Sequence, residues 1–145
     1  MKLDVKIKLL EGGRLPSYGR VGDVCLDCFA RCDKPIRIEN KERALVPLGF
    51  ALELPEGFEA VVRPRSGNSS KGIDISIGTI DTNYRGELKA VVINNRNNLN
   101  ETLVIENGAK ICQLAIRSVP IINWNVVTEL SETERGSAGF GSSGN

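Results

Sequence analysis

The chain opens on alternation. Leu3, Val5, Ile7 and Leu9 share one face of an extended segment, and Asp4, Lys6 and Lys8 share the other, the period-two pattern of an edge strand. Similar short runs follow at residues 22–30, 36–39, 44–46, 49–54, 58–63, 73–77, 88–94, 103–106, 111–119 and 121–127. The run at 88–94 holds Ala90-Val91-Val92-Ile93 without a polar break and reads as a central apolar strand. No long window keeps a helical period, and at most a helical turn is expected near residues 66–71.

The punctuation between these runs is that of a β protein. Gly12-Gly13, Pro16 and Gly19 break the chain after the first strand. Pro55-Glu56-Gly57 is a turn, with proline fixing φ and glycine allowing positive φ, so residues 58–63 are expected to return as the partner of residues 49–54. Asn107-Gly108 is a hairpin signal between residues 103–106 and 111–119. Turn signals recurring about every eight to twelve residues predict an all-β sandwich or barrel. No internal repeat is present.

Composition narrows this picture. A length of 145 residues predicts one domain. A chain of this size buries roughly 70% of its unfolded surface, enough for a real core. Residues 135–145 differ from the rest: glycine and serine dominate, with Arg135 and Phe140 among them. They read either as a flexible tail or as an arm that orders on a ligand, with Arg135 meeting an anion and Phe140 stacking on a flat ring. The expected organisation is a β domain over residues 1–134 and a C-terminal arm over residues 135–145. The 19 basic and 18 acidic residues form no long single-sign block, so neither nucleic acid nor an acidic membrane is an expected partner. The N-terminus alternates instead of showing an apolar signal core, and no run approaches membrane-spanning length, which makes the cytoplasm the expected location.

The absence of histidine removes Ser-His-Asp and Cys-His catalysis and every His-ligated metal site. A general base must then be Asp, Glu, Lys, Tyr or Cys, and a metal would most naturally be a hard cation held by oxygens. Cys25, Cys28 and Cys32 are spaced like zinc ligands. In an extended strand, however, an odd separation puts Cys25 and Cys28 on opposite faces, and no fourth partner lies nearby, so reduced thiols are expected.

Five fragments carry candidate chemistry. The densest is Gly78-Thr79-Ile80-Asp81-Thr82-Asn83-Tyr84-Arg85-Gly86-Glu87, a turn or rim leading into the apolar strand. It is either a solvated β-turn with Asp81 and Asn83 as turn formers, or a site in which Asp81 positions an attacking water and Tyr84 shapes a sugar pocket. Arg65-Ser66-Gly67 offers a fork-shaped cation, a hydroxyl and a backbone N–H, which suit phosphate oxygens, or is a plain loop with a surface arginine. Gln113 and Asp27 are polar groups inside apolar strands, so each is a satisfied core group or a ligand contact. The C-terminal arm is the fifth.

In order and chemistry these fragments resemble the five motifs of the trimeric dUTPases. Val24-Cys25-Leu26-Asp27-Cys28-Phe29-Ala30 is similar to the first, Arg63-Pro64-Arg65-Ser66-Gly67 to the second, and Gly78 to Gly86 to the third, the most diagnostic. Asn107-Gly108-Ala109-Lys110-Ile111-Cys112-Gln113-Leu114 is similar to the fourth. Arg135-Gly136-Ser137-Ala138-Gly139-Phe140-Gly141-Ser142-Ser143-Gly144 resembles the fifth nearly residue for residue. The resemblance implies a jelly-roll-like β fold (a distorted barrel or sandwich) and a homotrimer whose active sites are shared between subunits. It also implies hydrolysis of dUTP to dUMP and pyrophosphate with Mg²⁺, which lowers dUTP and supplies dUMP for thymidylate synthesis.

By matching position, the resemblance makes Asp81 the residue that orients or activates water at the α-phosphorus. Tyr84 would lie against the deoxyribose and leave no room for a 2′-hydroxyl. Thr79 and Ile80 would line the uracil pocket. Arg65, Ser66, Gly67 and Gln113 would hold phosphates, with Lys89 also on the substrate. Arg135 would clamp the terminal phosphate, Phe140 would close over uracil, and Gly139 and Ser142 would add contacts. Mg²⁺ would be held by phosphates and water with no direct protein ligand, and Asp27 would sit behind the metal or behind Arg65. The chain departs from the family pattern in three places. Cys25 replaces a common glycine, Thr82-Asn83 replaces a pattern with a second acid, and the segment after Lys71 is short, so the usual uracil-contacting asparagine has no clear equivalent. The dCTP deaminases share the fold but need a different acid and arginine set. A nucleotide-binding switch for a protein partner is a second alternative; Asp81 and Arg135 argue against loss of catalysis and leave an added partner role open.

Overall fold

The computed structural model describes residues 2–139. Eleven short strands and one helical turn follow in chain order: β1 (Lys6–Leu9), β2 (Leu26–Phe29), β3 (Ile36–Ile38), β4 (Arg43–Pro47), β5 (Phe50–Glu53), β6 (Phe58–Arg63), α1 (Ser66–Ser69), β7 (Ile73–Ile75), β8 (Gly78–Ile80), β9 (Lys89–Asn94), β10 (Leu103–Ile105) and β11 (Lys110–Ser118). The all-β expectation holds, and the helical turn forms within the stretch expected for it. The strands make four antiparallel sheets that do not close into a barrel: β1-β5, β10-β3, β2-β11-β6-β8 and β4-β9-β7.

Their inner faces meet in one core. Val46, Leu48, Phe50, Val62, Leu88, Val92, Ile111 and Leu114 are all fully buried there. Each such side chain contributes about 1.5–3 kcal/mol by leaving water. Among the described residues Asn94 is the buried polar exception, and it is satisfied. Its amide donates to the Ile38 and Glu101 carbonyls at 3.0 and 2.8 Å, and its oxygen accepts from Arg96 N at 3.3 Å.

Local turn chemistry predicted two hairpins that the fold does not make. Residues 49–54 and 58–63 are not partners: β5 pairs with β1, whereas β6 lies between β11 and β8. Phe50, Ala51 and Leu52 are buried in succession, as are Ala60, Val61 and Val62, so each run needs cover on both faces and the two go to different sheets. The Gly57 turn, with φ +78°, carries the chain between them. Likewise Asn107-Gly108 does not close a hairpin, because β10 pairs with β3 and β11 with β2 and β6. Gly108 N donates to Ala30 O and Ala30 N to Ala109 O, both at 2.8 Å, so the turn is spent on the end of β2.

The edges also depart from the pattern. The first strand is shorter than expected, and Ile7 and Leu9 stay exposed, because no second layer among the described residues covers β1. Residues 22–25 are loop, and Ile77 lies beyond the end of β7. The expected strand at 121–127 does not form. After Val119 N bonds Gly57 O at 2.7 Å the chain is exposed, with Trp124 and Val126 at 85% and 93%. Alternating apolar side chains make a strand only when a neighbour supplies hydrogen bonds and a surface to bury them.

Candidate active site

The four-stranded sheet carries both halves of the candidate site. On β8, Thr79 pairs with Val61 and Ile80 with Ala60 of β6, which puts Asp81 one step on, level with Glu59. The chain then turns: Tyr84 N donates to Asp81 O at 3.1 Å. Side chains stitch the turn down. Thr82 Oγ1 donates to Phe58 O at 2.8 Å, and Arg85 Nη1 donates to Thr82 O and Tyr84 O at 2.7 and 3.0 Å. Asp81 is exposed, and among the described residues its carboxylate takes part in no hydrogen bond or ion pair. The turn-former and functional readings of this stretch are therefore compatible: the turn is real, and it holds an uncommitted carboxylate at its first position. Thr79, Ile80, Asp81, Tyr84 and Lys89 line one depression of about 340 Å³, with Leu45, Glu87 and Leu88 completing it.

A second, cationic depression of about 620 Å³ lies at the other end of the same strands. The register aligns Asp27 of β2, Gln113 of β11 and Arg63 of β6 in one row. Arg65, Ser66 and Gly67 follow where β6 runs into α1. Asp27 is the pivot: Oδ1 accepts from Arg65 Nε and Oδ2 from Lys110 Nζ, each at 3.0 Å. Burial alone would push its carboxyl up, but the Lys110 hydrogen bond and the charges of Arg65 and Lys110 outweigh it and hold the group below its ordinary value. Gln113 Nε2 donates to Pro64 O at 2.8 Å, and Asn68 Nδ2 donates to Ile111 O at 3.0 Å, locking β11 to the loop that carries the cations. Asp27 and Gln113 thus each have protein partners, as the core-group alternative expects, and both line the groove.

Sequence reasoning missed Lys110, Glu87 and Leu45 as lining residues. Lys110 carried a usable signal, a cation at the mouth of an apolar strand three residues before Gln113. Of the arm, Arg135 is exposed and its Nε donates to Ala138 O at 3.0 Å within a local turn, and Gly139 is half-buried. Phe140 and Ser142 lie outside the described residues. The cysteines meet separate surroundings. Cys28 is buried opposite Cys112, which with burial pushes its thiol far up, while Cys25 lines the cationic groove.

Asp81 and the cationic groove do not meet within one chain. Glu59, level with Asp81, is four residues from Arg63 along β6, a separation of about 13 Å at the rise of an extended strand.

Comparison with known proteins matches this architecture. Residues 12–144 fit the sequence model of the dUTPase family. The deoxyuridine 5'-triphosphate nucleotidohydrolase of Rickettsia felis is 46% identical, covering 97% of this chain and 96% of its own. The dUTPase of Staphylococcus bacteriophage 80alpha, solved with dUpNHpp, is 30% identical with a TM-score of 0.86, covering 98% of this chain and 99% of its own. A mutant dUTPase from phage phi11 of S. aureus, whose structure reveals the coordination of a structural Mg(II) ion, is 26% identical with a TM-score of 0.79, covering 87% of this chain and 97% of its own. Together they define a class, the all-β nucleotidohydrolases. Within it, the chain belongs to the dUTPase family.

Proposed function

We propose that the chain hydrolyses dUTP to dUMP and pyrophosphate at a site shared between copies in a homotrimer. The observation that carries this is the division of the site: a carboxylate without a partner among the described residues, beside a tyrosine at one end of the sheet, and a cationic groove at the other. A triphosphate nucleotide needs both ends, and copies packed about a threefold axis can bring one chain's Asp81 to another's Arg65.

In the proposed reaction Asp81 orients a water and accepts its proton as the water oxygen bonds to the α-phosphorus. The bond from that phosphorus to the oxygen bridging the β-phosphate breaks, and pyrophosphate leaves. Arg65, the Ser66 hydroxyl, the Gly67 N–H and Gln113 hold phosphate oxygens, so most of the rate comes from positioning and charge neutralisation. Tyr84 lies on the deoxyribose, Thr79 and Ile80 line the base, and Lys89 reaches the substrate from the rim. Arg135, Gly139, Phe140 and Ser142 act as a lid over the bound nucleotide.

The residues fit Mg²⁺ held by phosphate oxygens and water, since both Asp27 oxygens are already taken by cations and Asp27 is left to support Arg65. When bound, the ion would neutralise charge on the polyphosphate. In the cell the reaction would lower dUTP and supply dUMP for thymidylate synthesis. The four unbridged cysteines support a reducing, cytoplasmic setting.

The test is pyrophosphate release from dUTP, UTP, dCTP and dTTP. The proposal expects release from dUTP far above the other three. Ammonia release from dCTP, or equal turnover of all four, would overturn it.

A further inference from the structure

We infer that Gly86 and Glu87 are positioning residues that set the angle of the Tyr84 ring and, through it, the choice between deoxyribose and ribose. The inference rests on the proposed placement of Tyr84 against the sugar.

The ring of Tyr84 folds back over Gly86. A Cβ built on Gly86 would lie 2.3 Å from the Tyr84 hydroxyl oxygen, 2.5 Å from Cζ and 3.0 Å from Cε2. Any side chain at 86 must therefore displace the end of the ring. Gly86 is not among the residues with positive φ, so glycine is needed here for space and not for backbone conformation. The ring is also held by its hydroxyl, which donates to Glu87 O at 3.1 Å. Tyr84 remains 44% exposed, with Gly86 behind it and Asp81 and Lys89 lining the same depression.

Glu87 anchors this platform to the scaffold. Its Oε1 accepts from Gly49 N at 3.0 Å and faces Arg31 Nη1 at 3.9 Å. Gly49 sits in the turn between β4 and β5, packed so closely on Gly13 that its own Cβ would come within 2.5 Å of Gly13 Cα. The next residue, Leu88, is fully buried and bonds the same turn through Leu88 N to Phe50 O at 2.9 Å and Leu48 N to Leu88 O at 3.0 Å. Side-chain and backbone bonds thus tie residues 87–88 to one rigid turn, and Tyr84 hangs from residue 87 by its hydroxyl. A ring that excludes a 2′-hydroxyl by contact works only while its position is fixed to a fraction of an ångström, and this is the device that fixes it.

The experiment measures kcat/KM for dUTP and UTP in the wild type, Tyr84→Ala, Gly86→Ala, the Tyr84→Ala/Gly86→Ala double variant, Glu87→Ala and Glu87→Gln, with thermal midpoints for each. Gly86→Ala is expected to lower the dUTP-to-UTP ratio about tenfold or more, a change of ~1.4 kcal/mol in relative transition-state binding. In the Tyr84→Ala background the same substitution should change the ratio no further, because no ring remains to displace. Glu87→Ala should lower the ratio, and Glu87→Gln should preserve it, since the amide oxygen still accepts from Gly49 N–H. A wild-type ratio in Gly86→Ala, with Tyr84→Ala relaxed, overturns the inference and leaves the sugar placement standing. A wild-type ratio in Tyr84→Ala overturns both. Should Gly86→Ala fail to fold, equal ratios in Glu87→Ala and Glu87→Gln overturn the inference on their own.

Discussion

Asp27 shows how a single residue joins stability to the site. Its side chain is 14% exposed and meets two cations at 3.0 Å, Arg65 on the loop after β6 and Lys110 at the start of β11. Because its folded pKa lies below the ordinary 3.8, the group contributes stability that is complete above that value and is lost as pH falls through the folded pKa. The urea midpoint of Asp27→Asn should therefore fall below that of the wild type at pH 7, and the gap should close as pH is lowered past 3.8. A gap that is constant with pH would mean the ion pairs carry none of it. Asp27 was legible as a polar residue needing partners. Its partners were not, because Lys110 lies eighty-three positions away and meets it only through the pairing of β2 with β11.

At the scale of elements, short apolar runs bounded by turn residues located nearly every strand, some with a period of two, as at residues 3–9 and 73–77, and some without a polar break, as at 88–94. Pairing was another matter. The Gly57 and Gly108 turns have the residues of a tight reversal, yet each moves the chain from one sheet to another. A turn's chemistry specifies its backbone angles; which strands then pair depends on what two-sided cover each run needs. The loop after α1 makes the same point through a close approach. Gly72 has φ +73°, and a Cβ there would lie 2.8 Å from Asn95 O and 2.9 Å from Arg96 N. Gly72→Ala should cost about 1–3 kcal/mol, read as a drop in urea midpoint. Alanine at Gly67, whose Cβ would meet nothing within 4 Å, is the control and should leave the midpoint nearly unchanged.

At the scale of the molecule, one chain leaves two things unfinished. Its apolar tail, including Ile121, Trp124, Val126 and Leu130, is exposed, and the two halves of its site stand apart. The homotrimer proposed above would complete both. Trp124 is the chain's one tryptophan, so its emission reports on the tail alone. Dilution through the dissociation range, followed by sedimentation, should shift that emission to the red as copies separate; emission that stays constant while the trimer dissociates would place the tail outside the interface. None of this follows from periodicity. An exposed apolar run reads like a strand until the fold shows that the chain offers it no neighbour, and the motif resemblance alone carried the expectation of shared sites.

The central claim, that Asp81 of one copy acts on a nucleotide held by Arg65 of another, has a direct test in subunit mixing. Asp81→Asn chains and Arg65→Ala chains are purified separately, mixed in equal amounts, dissociated and reassembled, and pyrophosphate release from dUTP is measured before and after. Each parent should be down by about 10²–10⁴-fold. The reassembled mixture should recover about one quarter of wild-type turnover, the share of interfaces that bring an intact Asp81 to an intact Arg65. A mixture verified as mixed trimers that stays as inactive as its parents would contradict the shared site, and an Asp81→Asn parent with wild-type turnover would contradict the role of Asp81 itself.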